Sequence, residues 1–298
     1  MKFARIGEPG AERPIALDNE GRAFDISSTT PDINGAFLAA DGIAAVRAGL
    51  AAGSYPELGW SLAAGEAFSA APTGERIGSP VARPGNVICI GMNYAAHARE
   101  SGAEPPTIPV VFLKPANTVA GPFDPAPIPP SAQKYDWEVE LGIVIGAHAK
   151  YLPSAEAAKD VIAGLLIAND LSEREYQIPG AAGQWTKGKS LPQSTPLGPF
   201  LVPADEIDGH NLGCRSWING EIRQDSSTAD FIFDLPTVVH HLSQYMALEP
   251  GDVILTGTPE GVALSGRFPY LAEGDVGEFE IQQLGRQRQV FFREQVNA

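Results

Sequence analysis

Residues 134–146 read KYDWEVELGIVIG. Side chains alternate faces along a strand, so Glu138 and Glu140 point the same way, their Cα atoms about 6.6 Å apart. Trp137, Val139 and Leu141 line the other face. After Glu140 the glutamate face continues through Gly142, Val144 and Gly146, while Ile143 and Ile145 extend the opposite one. A run apolar on both sides reads as a buried strand. Two unpaired carboxylates there are costly unless something positive offsets them. From Tyr135 to Gly146 there is no Lys or Arg. Either the glutamates sit at the open end of the strand, or a cation sits between them.

Outward from this strand the chain is rich in similar segments. NVICIG, VVFLKP, GLLIAND, GPFLV, CRSWING, DVILTGT and GEFEIQQLG all read as strands between Pro- and Gly-punctuated loops. Helices are fewer. SAEAAKDV opens at Ser154, a good N-cap type, and LPTVVHHLSQYMAL carries Pro236 near its start with Val238, Val239, Leu242 and Met246 as its stripe. Strands outnumber helices without alternating regularly with them, which argues against a doubly wound sheet and predicts an α+β, predominantly β fold. Residues 1–75 are Ala- and Gly-rich, with short strands and one helix in DGIAAVRAGLAAG ending at Gly53. They read as a small β-rich module. The turn-rich SAAPTGERIGSPVARPG reads as a linker, and residues 80–298 as the main, catalytic domain.

Composition limits the function. The 298 residues carry a formal charge of -15 and are 44% hydrophobic and 19% charged, an ordinary globular balance. Such acidity argues against nucleic-acid or anionic-membrane partners. Any anionic substrate needs a local positive site or a metal. Cys89 and Cys214 stand far apart with no CxxC spacing, and Cys89 in NVICIG reads as a small buried hydrophobe. MKFARIGEPG has no signal core and no apolar run approaches a membrane span, so the cytoplasm is the default expectation.

Four further stretches carry chemistry. In LLIANDLSEREYQ an apolar strand ends at Asn169-Asp170, and Ser172 through Glu175 match the capping-box spacing of a helix start. Asp170 at that junction, joined to Glu138 and Glu140, makes three carboxylates, a hard-oxygen set suited to Mg²⁺ or Mn²⁺ rather than zinc. In GMNYAAHARESG, His97 and Glu100 lie side by side on a helical turn, the arrangement in which a carboxylate fixes an imidazole as general base. QWTKGKS offers Lys187 and Lys189 for a carboxylate or enolate oxygen. DVILTGTPEGV places Gly257 and Thr258 where their donors reach an oxyanion. His240 and His241 lack a metal partner at helical spacing. There is no G-x-G-x-x-G, P-loop or G-x-S-x-G.

The ordered set GMNYAAHARE, FLKP, YDWEVELGIVIG, ANDLSEREYQ, WTKGKS with PLGPFLV, NGEIRQ and LTGTPEGV resembles the fumarylacetoacetate hydrolase family over roughly residues 85–285. The N-terminal module looks like the short β-rich extension of many bacterial members. The resemblance implies a mixed β-roll with a few flanking helices, assembled as a homodimer. It implies a metal triad at Glu138, Glu140 and Asp170 holding Mg²⁺ (or Mn²⁺ or Ca²⁺), and a base dyad at His97 and Glu100 on a segment that orders with substrate. The family lysine falls on Lys189, not Lys187. Substrate-oxygen contacts fall on Arg174, Gln177 and Thr258, and Lys114 of FLKP also matches. One departure is Ser172-Glu173-Arg174-Glu175 where relatives often read SARD.

The activity so implied is hydrolytic C–C cleavage of a small anionic 2-oxo acid, either an acylpyruvate or a 2,4-diketo-3-deoxy sugar acid, to pyruvate and a second acid. The alternative is a decarboxylase or an isomerase of oxaloacetate-like or 2-hydroxydienoate acids on the same metal-enolate site. A metal-stabilised dimer without catalysis is a third reading. The tail is expected to be read by loops near 101–109, 178–186 and 262–270.

Overall fold

The computed structural model describes residues 1–62, 70–100, 102, 104–178 and 183–296. The expected α+β, mostly β architecture is found. Its centre is a six-stranded sheet in the spatial order Val202–Pro203, Ile162–Asn169, Val139–Ile145, Val253–Leu255, Val87–Gly91 and Val110–Lys114. All pairs are antiparallel except Val253–Leu255 with Val87–Gly91. Every residue of Val139–Ile145 is buried, as its two apolar faces require. The strand opens at Val139, two residues later than the alternation in Trp137–Gly146 predicts, so Glu138 stands just ahead of it.

Register then builds the site. Val139 lies opposite Asn169 in the antiparallel pair, which brings the next residues, Glu138 and Asp170, across from each other. The Asp170 N–H donates to the Glu138 carbonyl at 2.9 Å. Gly142 lies opposite Leu166, and a Cβ on it would meet the Leu166 side chain at 2.4 Å. That glycine lets leucine fill the glutamate face directly below the carboxylates.

The sheet is curled. Ile162–Asn169 and Val110–Lys114 are four strand spacings apart, about 19 Å in a flat sheet. Yet the Lys114 ammonium reaches the Asp170 carboxylate at 2.5 Å. In the edge strand, Phe112 and Lys114 point into the curl, while Val111 and Leu113 face outward and are exposed.

A five-stranded sheet, in the order Glu221–Ser227, Gly213–Ile218, Val276–Ile281, Gly285–Arg293 and Ala126–Ile128, packs against this roll. Three fully buried glutamines on it hydrogen-bond to backbone groups of the first sheet and of the segments beside it. The Gln287 amide donates to the carbonyls of Ile167, Pro196 and Gly198 at 3.0–3.1 Å. Gln289 donates to the Pro122 carbonyl and accepts from the Asn169 amide. Gln224 accepts from the Val139 N–H at 3.1 Å and donates to the Thr258 hydroxyl at 2.8 Å.

The N-terminal residues form their own four-stranded sheet, Lys2–Ile6, Arg13–Leu17, Arg22–Asp25 and Glu57–Ser61. The helix expected to end at Gly53 spans Gly42–Ala51. This module shares its core with the roll: Phe3, Ile33, Phe37 and Val46 pack in one cluster with Val87, Cys89, Val144 and Leu255. Phe3 and Leu201 exchange both backbone hydrogen bonds at 2.9 Å. The described part of the stretch read as a linker is packed rather than loose. Ile77 and Val81 are buried, and Arg76 joins Glu12 to Asp124. Ser69 of that stretch lies outside the described residues. Among the described residues no helix is long and apolar enough to cross a membrane.

Replacing Gln287 by Leu keeps the volume but removes a buried donor shared by three carbonyls, of which Ile167 keeps the Gly198 N–H. A loss of about 2–3 kcal/mol is expected, read as a lowered urea midpoint with an unchanged slope.

Candidate active site

Glu138, Glu140 and Asp170 offer carboxylate oxygens that all lie within 4.8 Å of one another, and all three side chains are buried. The cations facing them come from elsewhere in the chain. Lys189 donates to Glu138 at 2.6 Å and to Asp170 at 2.7 Å. Arg174 reaches Glu138 and Asp136 at 2.8 Å each. Burial alone would raise the pKa of Glu138, but Lys189 and Arg174 outweigh it and hold it at about 2. Lys189 is likewise kept charged: burial opposes the ammonium, while Asp170 and Glu138 more than offset this.

Glu140 is the exception. It accepts from one backbone donor, the Gly257 N–H at 2.7 Å. Burial and the neighbouring charges of Asp170 and Glu138 push its pKa well above the usual carboxylate range. Three converging carboxylate oxygens, one of them poorly neutralised, are the donor set that a hard divalent cation takes. The triad fits such an ion on its chemistry.

Local sequence explains how the groups are aimed. The Gly257 turn, at φ 93°, lies so close to Ile90 and Asn93 that a Cβ would come within 3.0 Å of both, and this lets its N–H reach Glu140. Lys189 ends the short helix Trp185–Lys189, which packs on the helix Arg174–Gln177. The contact passes through Gly188, where a Cβ would meet Gln177 and the Glu173 carbonyl at 2.6 Å. Lys187, two residues earlier, points to solvent. The capping-box spacing is displaced by one residue. Glu173 rather than Ser172 is the N-cap, accepting from the Tyr176 N–H and also from the N–H groups of Gln133 and Lys134.

His97 and Glu100 lie on the helix Ala95–Glu100, which follows the strand Val87–Gly91 through a turn with Met92 at φ 56°. Asp230 accepts from the Ala96 N–H at 2.7 Å, and the Asn93 amide grips the carbonyls of Phe233 and Thr256. The His97 Nδ1 stands 3.6 Å from Glu100. Burial would raise the Glu100 pKa, but His97, the Gly261 N–H and Arg267 leave it below the ordinary value, so it stays an anion. Ser101 and Ala103, next along this segment, lie outside the described residues, as do 179–182 in the second tail loop.

These groups meet at a cavity of about 160 Å³. His97, Glu138, Glu140 and Lys189 line it together with Arg174, Gln177, Gly257 and Thr258. Three expected roles change with the geometry, the first being that the Gly257 N–H, expected at an oxyanion, is taken by Glu140. Lys114, expected at the substrate, is fully buried behind Asp170, with its donors on Asp170, Ser194 O and Leu171 O. The Thr258 hydroxyl, expected as an oxyanion donor, donates to the Val139 carbonyl and accepts from Gln224. Sequence reasoning also missed Asp136. This buried carboxylate accepts from Arg174 Nε and from the N–H groups of Trp137, Ala263 and Leu264 at 2.8–2.9 Å. Its only signal was its place beside Trp137 and two residues before Glu138.

Residues 86–291 match the family described as fumarylacetoacetate hydrolase, C-terminal. A Burkholderia multivorans protein named "Putative hydrolase" is 42% identical over 294 residues, 97% of this chain and 98% of that one. A fumarylacetoacetate hydrolase from Exiguobacterium antarcticum superposes with a TM-score of 0.80 at 30% identity, covering 99% of this chain and 100% of that chain. A 2-hydroxyhepta-2,4-diene-1,7-dioate isomerase from Mycobacterium marinum does so with a TM-score of 0.73 at 31% identity and the same coverage.

The raised pKa of Glu140 sets a pH dependence. Between the ordinary carboxylate value of about 4.3 and its raised value, the folded chain holds a proton that the unfolded chain has released. Stability of the metal-free protein therefore falls as pH rises through that window. A cation taking the proton's place restores it. The gain in melting temperature on adding Mg²⁺ should grow from pH 5.5 to 8.5 by scanning calorimetry; a gain that is absent, or flat with pH, counts against the triad.

Proposed function

The chain belongs to the fumarylacetoacetate hydrolase family, and on that premise we propose that it is a divalent-metal-dependent hydrolase. It cuts the C3–C4 bond of a 2,4-diketo acid to give pyruvate and a second acid. One observation carries the reading: His97, of a partly buried imidazole–carboxylate pair with Glu100, lines the same cavity as Glu138 and Glu140 of the converging carboxylates.

A divalent cation, Mg²⁺ first, held by Glu138, Glu140 and Asp170 would supply Lewis acidity toward the 1-carboxylate and 2-oxo oxygens. The chain's own residues do the rest. Arg174 and Gln177 flank the triad, with the guanidinium donating to the Gln177 side-chain oxygen at 2.9 Å, which orients that amide's donors. His97, held by anionic Glu100, removes a proton from water as its oxygen bonds to the 4-carbonyl carbon. Lys189 has three N–H donors, two of them on Glu138 and Asp170; the third serves the oxyanion. When the C3–C4 bond breaks, its electron pair goes to C3, and the proton held by His97 returns there. The second acid keeps the water oxygen.

An isomerase or decarboxylase would use the same enolate-forming groups but no attacking water. The relative named as an isomerase makes that outcome worth measuring. In H₂¹⁸O, Mg²⁺-loaded protein acting on a 2,4-diketo acid should place one ¹⁸O in the second acid. His97→Ala should lower kcat by about 10²–10⁴-fold while keeping the Mg²⁺-dependent rise in melting temperature. Product without solvent oxygen, or full turnover by the variant, would overturn the assignment.

A further inference from the structure

We infer that the group carried on the 4-carbonyl is a short apolar chain, not a second carboxylate and not a polyhydroxylated sugar chain. This rests on the function proposed above and narrows its substrate. A buried tail carboxylate needs a cation, and each buried hydroxyl needs a hydrogen-bond partner. Beyond the charged groups and their polar neighbours, the described lining offers neither. It consists of Ile90, Met92, Phe112, Ile178, Trp185 and Leu264, with Gly91 between the first two.

The apolar wall is built, not incidental. Trp185 packs edge-on against Phe112, their ring centroids 5.6 Å apart. It can do so because Gly91 has no side chain: a Cβ there would lie 2.3 Å from the indole. Phe112 in turn lies under the Lys189 ammonium, 5.3 Å from its ring centre, and so joins the wall to the reacting end. Ile178, Trp185 and Leu264 also fall in two of the three loops from which the tail was expected to be read.

The cations near the cavity are committed. Lys189 and Arg174 are the only lysine or arginine in the described lining, and both hold Glu138. Arg267, nearby, donates to Glu100. Size gives the second limit. The cavity is about 160 Å³, whereas an empty apolar cavity of about 150 Å³ holds a benzene. A diketo acid head, with more heavy atoms than benzene, already matches that volume, so any tail is short and must run along the apolar wall toward the cavity mouth.

The test is equilibrium binding to the Mg²⁺-loaded protein by calorimetry, with three non-reacting probes. Oxalate carries the head alone, 2-oxopentanoate adds an alkyl tail, and 2-oxoglutarate adds the same chain ending in a carboxylate. We expect 2-oxopentanoate to bind about tenfold more tightly than 2-oxoglutarate, or better. Trp185→Ala should lower the ratio of 2-oxopentanoate to oxalate affinity about tenfold, and Ile178→Arg should raise affinity for 2-oxoglutarate. Oxalate binding together with equal or tighter binding of 2-oxoglutarate by the wild-type protein overturns the tail assignment alone. Failure of oxalate itself to bind overturns the head-group reading, and the tail assignment with it.

Discussion

Four carboxylates are buried together inside a curled sheet, and most of the molecule can be read as the means of tolerating them. Asp136, Glu138, Glu140 and Asp170 lie at the end of the sheet where Val139–Ile145 enters and Ile162–Asn169 leaves. Desolvating that many like charges is prohibitive unless cations and hydrogen bonds are supplied at good geometry. The chain supplies three cations from three distant segments: Lys114 from the edge strand, and Arg174 and Lys189 from two short helices. The curl itself is bound up with this arrangement, because Lys114 meets Asp170 only if the sheet bends through four strand positions.

The compensation is incomplete in one place. With every group ionised, four carboxylates against three cations leave one net negative, and Glu140 is the group without a salt-bridge partner among the described residues. A divalent cation turns that deficit into one net positive charge. This is the complement of a single substrate carboxylate, in a protein whose overall charge of -15 repels anions. Lys189 is shared between Glu138 and Asp170 and has one donor left, so the group that makes the site bearable is also the one aimed at substrate oxygen. Removing it would cost both folding and chemistry, whereas changes in the apolar wall leave the charge balance untouched.

How much of this was legible in the sequence follows from distance along the chain. Glu138 and Glu140 declare themselves through two-residue alternation interrupting an apolar run, a local signal. Asp170 shows itself at the end of an apolar strand, and the strand-rich α+β class follows from segment counts alone. The partners of these residues are another matter. Lys114 lies 56 positions from Asp170, and nothing in FLKP says that its ammonium points inward behind that carboxylate. Gln224, Gln287 and Gln289 look like ordinary strand residues until the second sheet brings them against the first. Asp136 adjoins the motif, but its worth as a hub comes from Ala263 and Leu264, over a hundred residues later. Lys187 and Lys189 are equivalent by composition; the motif resemblance picks Lys189, and the Gly188 contact is the packing that buries it.

The glycines give the same lesson from the opposite direction, because their absence of side chain is felt only in three dimensions. Gly188 admits the helix that carries Lys189, Gly257 sends an N–H to Glu140, and Gly91 makes room for Trp185. The first two serve the charged end of the cavity and the third serves the apolar end. A Cβ at Gly188 would push Lys189 out of register with both carboxylates, so a head-group defect should follow whatever tail is offered. A Cβ at Gly91 would displace the indole, and through the shared helix Trp185–Lys189 and the Phe112 ring that shift would be felt at Lys189 as well. The two ends of the cavity are therefore joined through one five-residue helix and the ring of Phe112, and a change in tail selectivity that spares the buried charges has to fall outside that helix.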